Sequence, residues 1–301
     1  MRIGVIGLGA IGGITAQRLL DSGLDVSLAA GRHEDVIARK FPKAKVGALL
    51  PEGEYDLILL CVRSTEIERA LTPAIPLLKA DGAVVCLQNG FPEERVARLV
   101  GAKRTLGAVI GWSATMVEPG EYVLTGGGAF ILGGSSPRLE HARLVLNHAF
   151  PVYVTTNLAG ARWSKLAMNC AMSTLGAVTG LSLGEMASSR EVRSLALRII
   201  REAVEAGKAK QVRFEPVAGV RPDLLVAVPA LLAHLVLWFA SRMRPRQKSG
   251  LIARLQQGRS AGVEDLNALI DGPLNRKLVE QVHEIERGER RITPQNLGEL
   301  L

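Results

Sequence analysis

Aromatic residues make up only 4% of this 301-residue chain. That leaves little to stack on bases. No lysine-rich block or zinc-finger spacing accompanies the net charge of +8, so nucleic acid is not an expected partner. Cysteine is scarce as well. Cys61, Cys86 and Cys170 stand far apart, odd in number and without a CxxC pair. Neither a disulfide framework nor a metal site is expected, and the three read as small buried hydrophobes in a reducing compartment. The leading MRIGVIGLGAIGG lacks the charged lead, long apolar core and cleavage site of a signal peptide, so a cytoplasmic location is expected. Long apolar runs are absent save one, LLVAVPALLAHLVLWFA over residues 224–240. It is slightly short for a membrane span and contains Pro229 and His234. It reads as a buried or subunit-interface helix, which makes a homodimer plausible. Arg242, Arg244, Arg246 and Lys248 follow it and leave a membrane-surface anchor as the lesser alternative.

What is present is globular: 48% hydrophobic and 22% charged residues, with length enough for two domains. RIGVI (2–6), DVSLAA (25–30), DLILLCV (56–62) and AVVCLQ (83–88) are apolar runs bounded by turn residues or charges. Runs without alternation suit parallel strands buried on both faces, and the helical pattern of Ile11 to Asp21 between the first two completes a βαβ unit. A hairpin is expected around Glu118-Pro119-Gly120, then a strand in GGGAFILGG, a helix over 137–150 and a last strand in PVYVTT. Beyond Asn157 strand signals nearly vanish. The expected fold is an N-terminal α/β Rossmann-type doubly wound sheet (1–157) followed by an all-α domain (158–301).

The segment VIGLGAIGG places Gly7-x-Gly9-x-x-Gly12 between a strand and a helix. Gly7 permits a tight turn, Gly9 lets a pyrophosphate approach the backbone, and Gly12 allows close packing of helix on strand. The amides of Leu8, Ala10 and Ile11 complete a cradle at a positive helix end. In that context the motif predicts a dinucleotide. The second strand ends Ala29-Ala30-Gly31-Arg32-His33, with no acid for a ribose 2′-hydroxyl and an arginine suited to a 2′-phosphate. NADP(H) is therefore expected over NAD(H). Glu34 and Asp35 come slightly late. Arg63, after another strand end, is either a second phosphate ligand or a surface charge.

RWSKLAMNCAMSTLGAVTG (162–180) sets Lys165 and Asn169 one helical turn apart in mostly apolar or small surroundings. A lysine so placed donates a hydrogen bond to a carbonyl, then a proton to the alkoxide. Asn169 and Ser173 would orient the substrate. The plain alternative is a snorkelling lysine beside a backbone-bonded asparagine. Asn89, in the turn CLQNGF (86–91) after a strand, is expected at nicotinamide ribose or substrate; its alternative is a simple Asn-Gly turn.

Taken in order, GLGAIGG (7–13), LCVRST (60–65), LQNG (87–90), WSKLAMN (163–169) and, more weakly, LQQGRSAGVEDLNALI (255–270) make the chain resemble the ketopantoate reductases, the NADPH-dependent 2-dehydropantoate 2-reductases. The resemblance implies hydride transfer to the keto carbon of a small 2-oxo acid. It implies Lys165 as general acid, Asn89 and Asn169 as cleft asparagines, and Arg32 with Arg63 near the 2′-phosphate.

The chain also departs from that family. Where a Thr-Glu pair is expected after Gly258-Arg259, it has Ala261-Gly262. Glu264, two residues on, would lie about 200° around a helix and cannot substitute. The serine-rich segment upstream is reduced to Gln247-Lys248-Ser249-Gly250, with Ser249 as the remnant and Arg246 or Lys248 as candidate carboxylate partners. Ketopantoate itself is therefore a doubtful substrate. Two rivals stand beside the reductase reading. One is a β-hydroxyacid dehydrogenase, but GGGAFILGGSS (126–136) does not match the glycine-rich substrate loop usual in that family. The other is a non-catalytic NADP(H) sensor, against which the retained Lys165, Asn169 and Asn89 argue.

Overall fold

The computed structural model describes residues 1–242 and 245–301, so Arg244 of the basic cluster lies outside the described residues. The chain divides into two compact units, Met1–Leu158 and Ala159–Leu301.

The first unit carries an eight-stranded sheet. Its strands are β1 (Arg2–Ile6), β2 (Asp25–Ala29), β3 (Lys45–Gly47), β4 (Tyr55–Leu60), β5 (Leu78–Cys86), β6 (Thr105–Ile110), β9 (Phe130–Gly133) and β10 (Val152–Val154). The intervening β7 (Ser113–Glu118) and β8 (Glu121–Gly126) form a separate antiparallel ribbon. The sheet order is β10-β9-β6-β5-β4-β1-β2-β3. From β3 to β6 this is the 3-2-1-4-5-6 order of dinucleotide-binding sheets, parallel throughout, and only the β6–β9 pairing is antiparallel.

Helices α1 (Ala10–Asp21), α2 (Glu34–Lys40) and α5 (Leu139–Asn147) bury Leu19, Ile37 and Leu146 in one apolar cluster. Helices α3 (Ile67–Leu71) and α4 (Glu93–Val100) bury Leu71 and Val96 in a second. Central strand residues alternate between the two: Leu57 and Leu59 join the first, Ile58 and Leu60 the second. Both faces of the sheet are thus covered, which is why the strands read as unbroken apolar runs. The Rossmann-type expectation holds.

Two details differ from the sequence reading. Strand β3 has only three residues and sits at the sheet edge, so it offers no apolar run to detect. Strand β5 begins at Leu78, and its charged early residues Lys79 and Asp81 conceal it.

The second unit is helical: α6 (Leu158–Thr179), α7 (Leu183–Ser188), α8 (Arg190–Ala209), α9 (Pro222–Leu225), α10 (Ala230–Arg242), α11 (Gly250–Gln256) and α12 (Pro273–Glu286). The apolar run 224–240 is not one helix, because the segment Val226–Pro229 separates α9 from α10. Nor is it buried. Helix α10 buries only Ala233, Leu237 and Ser241, while Leu231, Leu235 and Phe239 are exposed. Among the described residues no helix is long and apolar enough to cross a membrane.

Candidate active site

Because β5, β4, β1 and β2 are neighbouring parallel strands, the segments that follow them share one edge of the sheet. That edge gathers the glycine loop after β1, Arg32 after β2, Arg63 after β4 and Asn89 after β5.

The loop is built by what glycine lacks. Gly7 has φ +97°, and a Cβ there would lie 2.7 Å from the Val62 amide nitrogen. At Gly12 a Cβ would lie 2.0 Å from the Gly7 carbonyl oxygen, so α1 is drawn tightly against the turn. Gly9 caps α1, is exposed, and has no atom within 4 Å of where a Cβ would stand. Open space therefore meets the helix N-terminus, beside the amides of Ala10 and Ile11. Leu8 and Ile11 turn their side chains onto the core cluster. This cradle fits a dinucleotide pyrophosphate.

Arg32 stands exposed in a single 3₁₀ turn, Gly31–His33, where its Nε donates to His33 Nε2 at 3.2 Å. It makes no ion pair among the described residues. Arg63 is engaged: its guanidinium meets Glu66 at 3.1 Å, and Glu66 also holds Arg69 at 3.0 Å. Asn89 is exposed, and Gly90 supplies the positive φ (+71°) of its turn. Burial pushes the Cys61 thiol up to about 12 and raises the Cys170 thiol as well, which disfavours the reactive thiolate at both.

In the second unit, α6 is buried over residues 160–179 except at Lys165, Met168, Asn169, Met172 and Ser173. Those positions run i, i+3, i+4, i+7, i+8 and form one stripe. Ser173 Oγ donates to Asn169 Oδ1 at 3.4 Å. Ser249 lies beyond the stripe's end, with its Cβ 3.3 Å from where a side chain on Gly176 would begin. Its hydroxyl is occupied in capping α11, accepting from the Leu251 amide at 3.2 Å. Arg246 and Lys248 are exposed. Met168 and Met172 were not singled out from the sequence, where they read only as part of apolar surroundings. Only their i, i+4 spacing beside Lys165 and Asn169 hinted otherwise.

The far side of α6 is pinned by polar groups. Asn267, fully buried, accepts from Thr174 Oγ1 and donates to the Cys170 carbonyl (3.0 Å) and to Asn275 Oδ1 (2.8 Å). Asn275 in turn donates to Glu202 at 2.8 Å. This network orients the stripe, and sequence alone gave no sign of it. Asn267→Leu is expected to cost about 1–3 kcal/mol, since it orphans Thr174 and Asn275. Urea unfolding checks this, and an unchanged midpoint would contradict it.

The helical geometry assumed for residues 261–264 is corrected. Helix α11 ends at Gln256, and Gly262 lies in a loop with φ +78°. That left-handed backbone disfavours a glutamate side chain at this position. The nearest group to a Cβ at Gly262 would be the Arg254 guanidinium, 3.8 Å away. Glu264 is exposed and faces His283 at 3.2 Å.

A glycine cradle at the carboxyl edge of a 3-2-1-4-5-6 sheet, with a helical unit following, defines a dinucleotide-binding oxidoreductase fold. The chain belongs to the ketopantoate reductase PanE/ApbA family: that family's sequence model matches residues 3–137, and its C-terminal companion matches residues 157–269. It is thus a pyridine-nucleotide-dependent oxidoreductase acting on a CH–OH/C=O pair. A 2-dehydropantoate 2-reductase of Pyrococcus horikoshii is 28% identical over 232 residues, covering 71% of this chain and 76% of the relative. A ketopantoate reductase family structure from Ralstonia eutropha superposes with TM-score 0.78 at 23% identity, covering 96% of this chain and 99% of that one. D-mandelate dehydrogenase, solved with NADH and anilino(oxo)acetate, superposes with TM-score 0.80 at 18% identity and the same coverage. The family match sets aside the β-hydroxyacid dehydrogenase reading.

Proposed function

We propose that this protein reduces a small 2-oxo acid or related carbonyl compound to the alcohol with NADPH. The observation that carries the proposal is the α6 stripe, the sole opening on an otherwise buried helix segment, which holds an ammonium, an amide and a hydroxyl. Retention of such a group array also argues against a non-catalytic sensor.

Each residue has a role in this reading. The loop Gly7–Gly12 and the N-terminus of α1 hold the pyrophosphate through backbone amides. Arg32 pairs with the 2′-phosphate, and Asn89 holds the nicotinamide ribose or the substrate. Arg63 adds positive potential at the same edge while bound to Glu66. When bound, the reduced nicotinamide supplies a hydride to the carbonyl carbon. Lys165 hydrogen-bonds the carbonyl oxygen and gives it a proton, so one hydride and one proton make the alcohol. Asn169, steadied by Ser173, orients the substrate. Met168 and Met172 flank these polar groups and favour an apolar arm on the substrate, as adaptable side chains do. Ser249, committed to its cap, contributes at most a wall.

Substrate-dependent NADPH oxidation over a panel of 2-oxo acids, ketones and imines, ketopantoate included, tests the proposal. Turnover of at least one member is the expected result. NADPH binding without turnover of any member would contradict it and favour the sensor.

The partner surface of α10 is assigned to a second copy of the chain. Leu231, Leu235 and Phe239 are 75%, 53% and 68% exposed and, four residues apart, lie on one face of α10, which supports a partner there. Light scattering should give twice the 32.2 kDa chain mass, and Leu235→Glu with Phe239→Glu should halve it. A monomeric parent protein would overturn this assignment.

A further inference from the structure

The β7–β8 ribbon does not join the sheet. It lies against α1 and α2, and several contacts fix it there. Lys40 pairs with Glu121. A Cβ at Gly120, in the ribbon's turn, would lie 2.8 Å from the Lys40 side chain. The rings of Phe41 and Tyr122 are 6.2 Å apart.

Tyr122 reaches farthest. Its ring occupies the space a side chain on Gly13 would need, for a Cβ there would lie 2.1 Å from Tyr122 Cζ. Gly13 follows the dinucleotide fingerprint and has no part in it, so the ring explains a glycine the motif leaves unexplained. The hydroxyl then donates to the carbonyl oxygen of Leu8 at 2.9 Å.

Leu8 and Gly9 share that peptide. A trans peptide is planar, with its C=O and N–H pointing in opposite directions. Holding the Leu8 oxygen on the ribbon side therefore aims the Gly9 N–H away from Tyr122. Gly9 is exposed and open for at least 4 Å around the Cβ direction.

We infer that Tyr122 is a positioning residue for nucleotide binding: through the Leu8 carbonyl it fixes the orientation of the peptide whose N–H meets the pyrophosphate. This rests on the reading of the glycine loop as the nucleotide cradle. Burial raises the phenol to about 12, which favours the protonated, donating hydroxyl.

The test is Tyr122→Phe, which keeps the ring in the Gly13 notch and deletes only the hydroxyl. Binding of NADPH, NADH and ADP-ribose should weaken together by roughly three- to tenfold, the value of one hydrogen bond. 2′-AMP has no pyrophosphate and should bind both proteins equally. For any carbonyl substrate turned over, KM for the nucleotide should rise while kcat is unchanged. Equal affinity of variant and parent for NADPH would overturn the inference. So would equal weakening of 2′-AMP, which would mean a general disturbance of the unit. Failure of the parent protein to bind any of the pyrophosphate ligands would instead overturn the cradle reading beneath it.

Discussion

Lys165→Ala is expected to cut turnover roughly 10²–10⁴-fold, the range for loss of a positioned proton donor. NADPH affinity should stay nearly intact, because Lys165 belongs to the α6 stripe and the proposed nucleotide cradle is built by β1 and α1. The fold should survive as well. Lys165 is only half-buried, and the far side of α6 is held by Asn267 through Thr174 and the Cys170 carbonyl. Steady-state kinetics with a parallel nucleotide titration separates the two effects. A matching loss of NADPH binding would remove Lys165 from the role of acid.

Arg32→Ala is expected to weaken NADPH binding about 10- to 100-fold while leaving NADH within about twofold. The guanidinium would make charge-assisted hydrogen bonds to a 2′-phosphate that NADH lacks. The surroundings support the asymmetry. Arg32 is exposed at the end of β2, makes no ion pair among the described residues, and has no acidic residue between it and the strand. Arg63, already tied to Glu66, should matter less. Fluorescence titration of both nucleotides on both proteins decides it. An equal effect on NADH and NADPH would remove Arg32 from the 2′-phosphate.

The sequence was most readable where one physical constraint acts along the chain. Strands buried on both faces must be apolar throughout, so β1, β2 and β4 were found nearly to the residue. The glycine loop was equally visible, because Gly7 and Gly12 answer local steric demands. Helical spacing places Lys165, Asn169 and Ser173 on one face, and they do share the half-buried stripe of α6.

What stayed hidden depends on partners distant in sequence. Asn267 meets Cys170 from nearly a hundred positions away. Tyr122 meets Leu8 across more than a hundred. No periodicity carries such pairings. The apolar run near residue 230 misled because its composition was that of a core helix, whereas the fold buries only the Ala233–Leu237–Ser241 edge of α10. The spacing argument for Gly262 and Glu264 supposes a helix, whereas Gly262 has a left-handed backbone in a loop.

The most direct measurement is the fate of deuterium from the reactive C4 position of labelled NADPH, followed by mass spectrometry of the product formed from an accepted 2-oxo acid. The account predicts one deuterium at the former carbonyl carbon, and product formation that collapses in Lys165→Ala while nucleotide binding persists. Product without deuterium, or undiminished product from Lys165→Ala, would contradict it.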